Sequence, residues 1–150
     1  MTPSKTDNTQ QNTYASSIIE VIEKTLSLLH YDAEKCKKAH NVWELSHESA
    51  TIEIVFHRKK GIIYGDAFLA ALPTKDRKLL YEYLLRQNLH VQGLTMSIRD
   101  NKILISFMTT DQDLSVDHLK KLISKLLIEA NKFDNILVEQ YGAFWPDQKQ

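Results

Sequence analysis

Hydrophobic positions change their spacing several times along this chain, and each change marks an element. Residues 1–13 are polar with no apolar run, which predicts a disordered tail. From Tyr14 to Tyr31, Ile18, Ile22, Leu26 and Leu29 recur every three or four residues, the period of one helix face. The charged stretch Asp32 to Asn41 reads either as more helix or as a loop. From Val42 the period becomes two. Val42 to His47, Ala50 to His57 and Ile62 to Ala71 read as three strands of an antiparallel meander. Glu48-Ser49 links the first two, and Arg58-Lys59-Lys60-Gly61 turns between the second and third. Pro73-Thr74 stops the sheet. Thr74 is the expected N-cap of a helix over residues 75–88, with Asp76 suited to its positive end. Leu94 to Arg99 and Ile103 to Thr109 pair around Asp100-Asn101, residues that tolerate positive φ. Ser115 caps a long helix to Tyr141, and Gly142 closes it.

The order is therefore α-β-β-β-α-β-β-α, an α+β domain over residues 14–142. An antiparallel sheet carries the helices, and a C-terminal tail spans 143–150. If Glu48-Ser49 is a two-residue turn, Leu45 lies opposite Ile52 and Trp43 opposite Ile54. Phe56, Ile63, Ala67 and Leu69 then share their face, and Leu94, Met96 and Ile98 with Ile103, Ile105 and Phe107 extend the core, Met96 filling a gap. The opposite face carries Glu44, Glu53, Val55, His57, Ile62, Tyr64, Asp66 and Phe68. Its three carboxylates fall on neighbouring strands, either simply solvated or forming the acidic rim of a docking patch with apolar anchors.

Composition narrows the function. A length of 150 residues suits one domain with its own core. Lysine plus arginine balance aspartate plus glutamate, 19 against 19, which argues against a nucleic-acid partner. No signal peptide and no membrane-length apolar run are visible, so the expected location is cytoplasmic. The single cysteine, Cys36, lies among lysines that favour thiolate, but an inert thiol is the plainer expectation. No phosphate loop, dinucleotide fingerprint or nucleophile elbow occurs. The six histidines include no i, i+4 pair, and His47 and His57 fall at opposite ends of one ladder. The expectation is a protein that is not an enzyme and needs no cofactor or metal.

Two helices carry more apolar surface than one core uses. In the middle helix Leu79, Leu80, Tyr81, Tyr83, Leu84 and Leu85 are interrupted only by Glu82. Burial on two sides predicts a homodimer through this helix, unless another helix of the same chain covers it. The last helix repeats Leu119, Leu122, Leu126, Ala130, Phe133, Leu137 and Tyr141. Spanning about 40 Å at 1.5 Å per residue, it must overhang or cross the sheet. Phe144, Trp145 and Pro146 follow it, either folded back on the core or free as a docking motif.

Leu72-Pro73, Asp76-Arg77, Leu84-Leu85 with Asn88, Asp113-Leu114-Ser115 and Tyr141-Gly142 resemble the signature of type III secretion chaperones of the Tir-chaperone kind and of YbjN-like proteins. The resemblance covers about residues 15–142. It implies a small cytoplasmic dimer without enzymatic activity, dimerising through residues 75–88. Secretion chaperones hold an extended effector segment on apolar patches, and YbjN-like proteins are grouped as regulators. Such chaperones are usually acidic, so the neutral charge here favours the YbjN-like branch. The expected function is a dimeric protein-binding module, a YbjN-like regulator or a chaperone holding a partner segment such as a secreted effector. Val55, Ile62, Tyr64, Phe68, Glu44, Glu53 and Asp66 are the expected partner surface. A small-ligand-binding sensory domain is the main alternative; an enzyme using Glu44, Glu53 or Asp66 is a third.

Overall fold

The computed structural model describes residues 5–147. Its elements are α1 (Lys5–Leu28), α2 (Ala33–Cys36), β1 (Lys37–Ala39), β2 (Val42–His47), β3 (Ala50–His57), β4 (Ile62–Ala71), α3 (Arg77–Gln87), β5 (Thr95–Arg99), β6 (Lys102–Thr110) and α4 (Val116–Tyr141). The strands form one antiparallel sheet in the order β1-β2-β3-β4-β6-β5. Leu45 pairs with Ile52 and Trp43 with Ile54, the register that a two-residue Glu48-Ser49 turn requires.

Alternation places the core. Trp43, Leu45, Ile52, Ile54, Phe56, Ile63, Ala67 and Leu69 are buried on the face that meets α4, and α1 packs against α4 above it. A bulge between Phe68 and Ala70 inserts Leu69, so Leu69, Ala70 and Ala71 are buried in succession. Ile18, Ile22 and Leu26 of α1 complete the core. Burying this apolar surface is the main stabilising term.

Four expectations need correction. The first helix begins at Lys5, not at Tyr14, so most of the expected N-terminal tail is helical; residues 1–4 lie outside the described residues. Thr13 and Ser16 donate their hydroxyls to the carbonyls of Thr9 and Asn12 at 2.9 and 3.0 Å, so both are satisfied within the helix. Asp32 to Asn41 is neither continuous helix nor loop. Asp32 caps α2 through the N–H groups of Glu34 and Lys35, and β1 follows as an edge strand. Thr74 does not cap α3. Asp76 holds that position at φ 55°, its side chain makes no capping bond, and Arg77 Nε donates to the Pro73 carbonyl at 2.6 Å. Ile98, expected in the core, is 41% exposed because β5 is a sheet edge and Ile98 lines the open groove between that edge and α3.

The end of the chain is docked. Gly142 adopts φ 67° and reverses the backbone after α4. Phe144 then exchanges two hydrogen bonds with Ala71, at 2.8 and 3.0 Å, as a one-residue antiparallel bridge to β4. The expected tail over 143–150 is thus held to the sheet through 144, and residues 148–150 lie outside the described residues.

Candidate functional site

Two surfaces collect the residues that the sequence singled out. The first is the sheet face turned away from α4. Glu44, Glu53 and Asp66 stand directly across β2, β3 and β4 from one another. Three adjacent carboxylates repel unless cations intervene. Lys38 of β1 bonds both Glu44 and Glu53, at 2.9 and 3.2 Å, and Arg99 of β5 lies 3.5 Å from Asp66. The two glutamates hold the Lys38 ammonium in its charged form and raise its pKa. The row is therefore an ion-paired stripe and not simply a solvated one.

Apolar side chains flank it. Val55 and Tyr64 form a cross-strand row with Val42 on one side and the exposed Met108 on the other, while Ile62 lies opposite His57 and Thr110. Phe68 carries the Lys102 ammonium 5.0 Å above its ring. Val55, Ile62, Tyr64 and Phe68 are all half-buried, so none of the four is a bare hydrophobe. A groove of about 810 Å³ crosses this face over Glu53, Asp66, Phe68 and Leu104, with Trp145 and Pro146 of the docked terminus as one wall.

The second surface is the outer side of α3 with the edge of β5. The six residues expected at a dimer interface divide. Leu80 and Leu84 are buried in the chain's own core, which corrects their assignment to an outer surface. Tyr83 is half-buried, stacked on Tyr141 at 4.6 Å between centroids and edge-on to Phe133 at 6.4 Å; burial and then Tyr141 raise its pKa. Leu79, Tyr81 and Leu85 face solvent, and Leu89, which the sequence reading passed over, is the most exposed large hydrophobe of the described residues at 82%. Tyr81, Leu84 and Leu85 with Met96 and Ile98 line an apolar groove of about 290 Å³ between helix and strand. A run of leucines around a helix cannot tell inward from outward positions until the helix is placed on its sheet.

Chemistry is sparse elsewhere. Among the described residues no group of three histidine, cysteine, aspartate or glutamate side chains converges for a metal. Cys36 is half-buried, and burial, with Asp32 second, pushes its pKa up, against the thiolate that its lysine neighbours suggested. Asp134 of α4 is a buried carboxylate that no motif or periodicity in the sequence marks. It accepts from the Ser49 hydroxyl at 2.7 Å, and Asn131 accepts from the same hydroxyl and from the Ala50 N–H, which ties the β2–β3 turn to α4. No described helix is long and apolar enough to cross a membrane.

No known family model matches the sequence, and no curated protein matches it either. Solved structures do match. The HopA1–SchA chaperone–effector complex aligns with a TM-score of 0.63 at 12% identity, over 89% of this chain and 99% of that chain. The ExoU–SpcU complex from the type III secretion system of Pseudomonas aeruginosa gives 0.61 at 15%, over 77% and 96%. YbjN from E. coli gives 0.61 at 12%, over 85% and 96%. The fold is the one found in type III secretion chaperone complexes and in YbjN, as the residue resemblance implied.

Proposed function

We propose that this chain is a non-enzymatic protein-binding module that works as a homodimer, a YbjN-like regulator or a secretion chaperone holding a segment of a partner such as an effector. One observation carries the reading: Leu79 and Leu85 of α3 and Leu89 in the turn that follows it are 68%, 70% and 82% exposed, beside an apolar groove. A lone protomer gains nothing by leaving three leucines in water, whereas covering them on association is favourable. The HopA1–SchA and ExoU–SpcU complexes, each a fold neighbour joined to a partner protein, support the same reading. The second surface, Val55, Ile62, Tyr64 and Phe68 around the Glu44–Glu53–Asp66 stripe, offers apolar anchors and fixed charges to a partner segment. A small-ligand sensor would hold its ligand in an enclosed cavity; the two grooves described above are both open to solvent.

Sedimentation equilibrium tests the association. The wild type should sediment as a dimer, and Leu79→Asp/Leu89→Asp as a folded monomer with an unchanged circular dichroism spectrum. Substituting Leu80 would be uninformative, because it is 1% exposed and its loss would damage the core. A wild type that stays monomeric at the highest concentration reached removes the dimer from the proposal.

A further inference from the structure

The solvent side of α3 has an order that reads the same from both ends. Leu79, Glu82, Arg86 and Leu89 are spaced three, four and three residues apart. At 3.6 residues per turn Leu79, Glu82 and Arg86 fall within an arc of roughly 60° on α3, and Leu89 prolongs that stripe in the turn after the helix, its N–H donating to the Arg86 carbonyl at 3.2 Å. All four are exposed. Apolar residues stand at both ends of the stripe, and an anion and a cation stand in its middle. Among the described residues neither Glu82 nor Arg86 makes an ion pair within its own chain.

A stripe of this kind is complementary to its own antiparallel copy. A twofold axis level with Leu84 sets Leu79 against Leu89 of the second copy and Glu82 against Arg86, each contact occurring twice, as a twofold interface requires. Registers shifted by about one turn, with the axis moved by two residues, fail. Level with Glu82 the axis opposes the two Glu82 carboxylates and sets Lys78 against Arg86. Level with Arg86 it opposes the two arginines.

The neighbouring strand edge does not compete for this contact. Met96 donates its N–H to Asn88 Oδ1 at 2.6 Å, and Asn88 Nδ2 donates back to the Met96 carbonyl at 3.3 Å. A carboxamide carries the donor and acceptor of a peptide group, so Asn88 occupies the place of one residue of a further strand. The Leu94 N–H is taken by the Val91 carbonyl at 3.1 Å. The β5–β6 register runs without a bulge, so within β5 parity turns only Ile98 outward besides Met96. One free residue is too little for strand addition, which depends on a run of main-chain bonds.

We infer that a second copy packs antiparallel on α3 in this one register, Leu79 to Leu89 and Glu82 to Arg86, with the two sheets left unjoined at β5. The inference rests on the dimer proposed above and adds its register, its charge code and the role of Asn88.

Charge exchange tests it. Glu82→Arg leaves two cations on the stripe, and Arg86→Glu leaves two anions. Each variant should self-associate about tenfold or more weakly than wild type, because two surface ion pairs are lost and replaced by repulsion. Mixed in equal amounts, the two variants should form a heterodimer about as tight as the wild-type dimer, and Glu82→Arg/Arg86→Glu should again self-associate. Both side chains are exposed, so thermal unfolding of the isolated protomers should not move. Sedimentation velocity with one variant fluorescently labelled reads all three results. Variants that dimerise like wild type, or a mixture with no heterodimer, overturn the register and leave the dimer standing. A monomeric wild type removes the dimer itself. Amide exchange supplies an independent arm: in Asn88→Ala the Met96 amide should exchange up to about tenfold faster, the worth of one net hydrogen bond. An unchanged rate overturns the role given to Asn88.

Discussion

Gly65→Ala adds a single methyl group where the Phe107 ring lies against the backbone on the buried side of the sheet. Gly65 of β4 lies directly opposite Phe107 of β6. An ideal Cβ at Gly65 would stand 2.4 Å from Phe107 Cε1, 2.8 Å from Cζ and 3.1 Å from Cδ1. Carbon atoms in contact rest about 3.5–4.0 Å apart, so the ring would have to withdraw by roughly 1 Å. Phe107 is 1% exposed and belongs to the main core, where no open side receives it. Overpacking of this kind costs about 1–3 kcal/mol. The backbone of Gly65 is not left-handed, so alanine adopts it without strain, and the smaller entropy of the unfolded chain offsets about 0.4–1 kcal/mol. The net expectation is a loss of roughly 1–2 kcal/mol, read from urea unfolding at fixed protein concentration with an unchanged m-value. Gly65→Ala/Phe107→Leu should be more stable than the sum of its two single changes predicts, because the smaller side chain leaves room for the methyl. A Gly65→Ala protein as stable as wild type, or strict additivity in that cycle, would refute the steric argument.

Two further changes probe α4, one inside the helix and one at its N-cap. Asp134 has its pKa raised above 3.8, first by burial, with bonds from Ser49 and the Asn135 backbone opposing, and its Oδ1 has no partner. The native state thus holds this proton more tightly than the unfolded chain. Its contribution is complete below pH 3.8 and is lost as pH rises through the native value. Unfolding followed from pH 3 to pH 8 should show Asp134→Asn gaining on the wild type across that interval, and a pH-independent difference would contradict the assignment. Ser115→Ala removes the hydroxyl that accepts from the His118 N–H at 3.1 Å, and should cost about 1 kcal/mol in urea unfolding.

The parts of this fold that were legible are those where spacing and turn length act together. Two linker residues, Glu48 and Ser49, fix the β2–β3 register and set Glu44 opposite Glu53, and the turn over residues 58–61 fixes the β3–β4 register that sets Glu53 opposite Asp66. Ser115 and Gly142 marked both ends of α4, because each does a job that few residues do. Other features left no such mark. The first turns of α1 have no apolar stripe to betray a helix. β1 is three exposed residues, too short for a period. Asp76 takes the position expected of Thr74 through backbone conformation, which no side-chain preference announces. The exposed leucines were half legible: a surplus of apolar surface on residues 75–88 was plain, but the split between Leu80 and Leu84 inside and Leu79, Leu85 and Leu89 outside depends on how the helix is rolled against β5. Asn88 stood out only as part of a resemblance, since its partner is a backbone edge eight positions on.

The placement of the two tryptophans makes the molecule its own optical instrument. Trp43 is wholly enclosed under the helices, so its emission follows unfolding. Trp145, half-buried at the lip of the 810 Å³ groove, senses whatever settles there. A blue shift that survives Trp43→Phe and vanishes in Trp145→Phe would therefore follow occupancy of the outer sheet face without any label, while the other indole reports that the fold is intact.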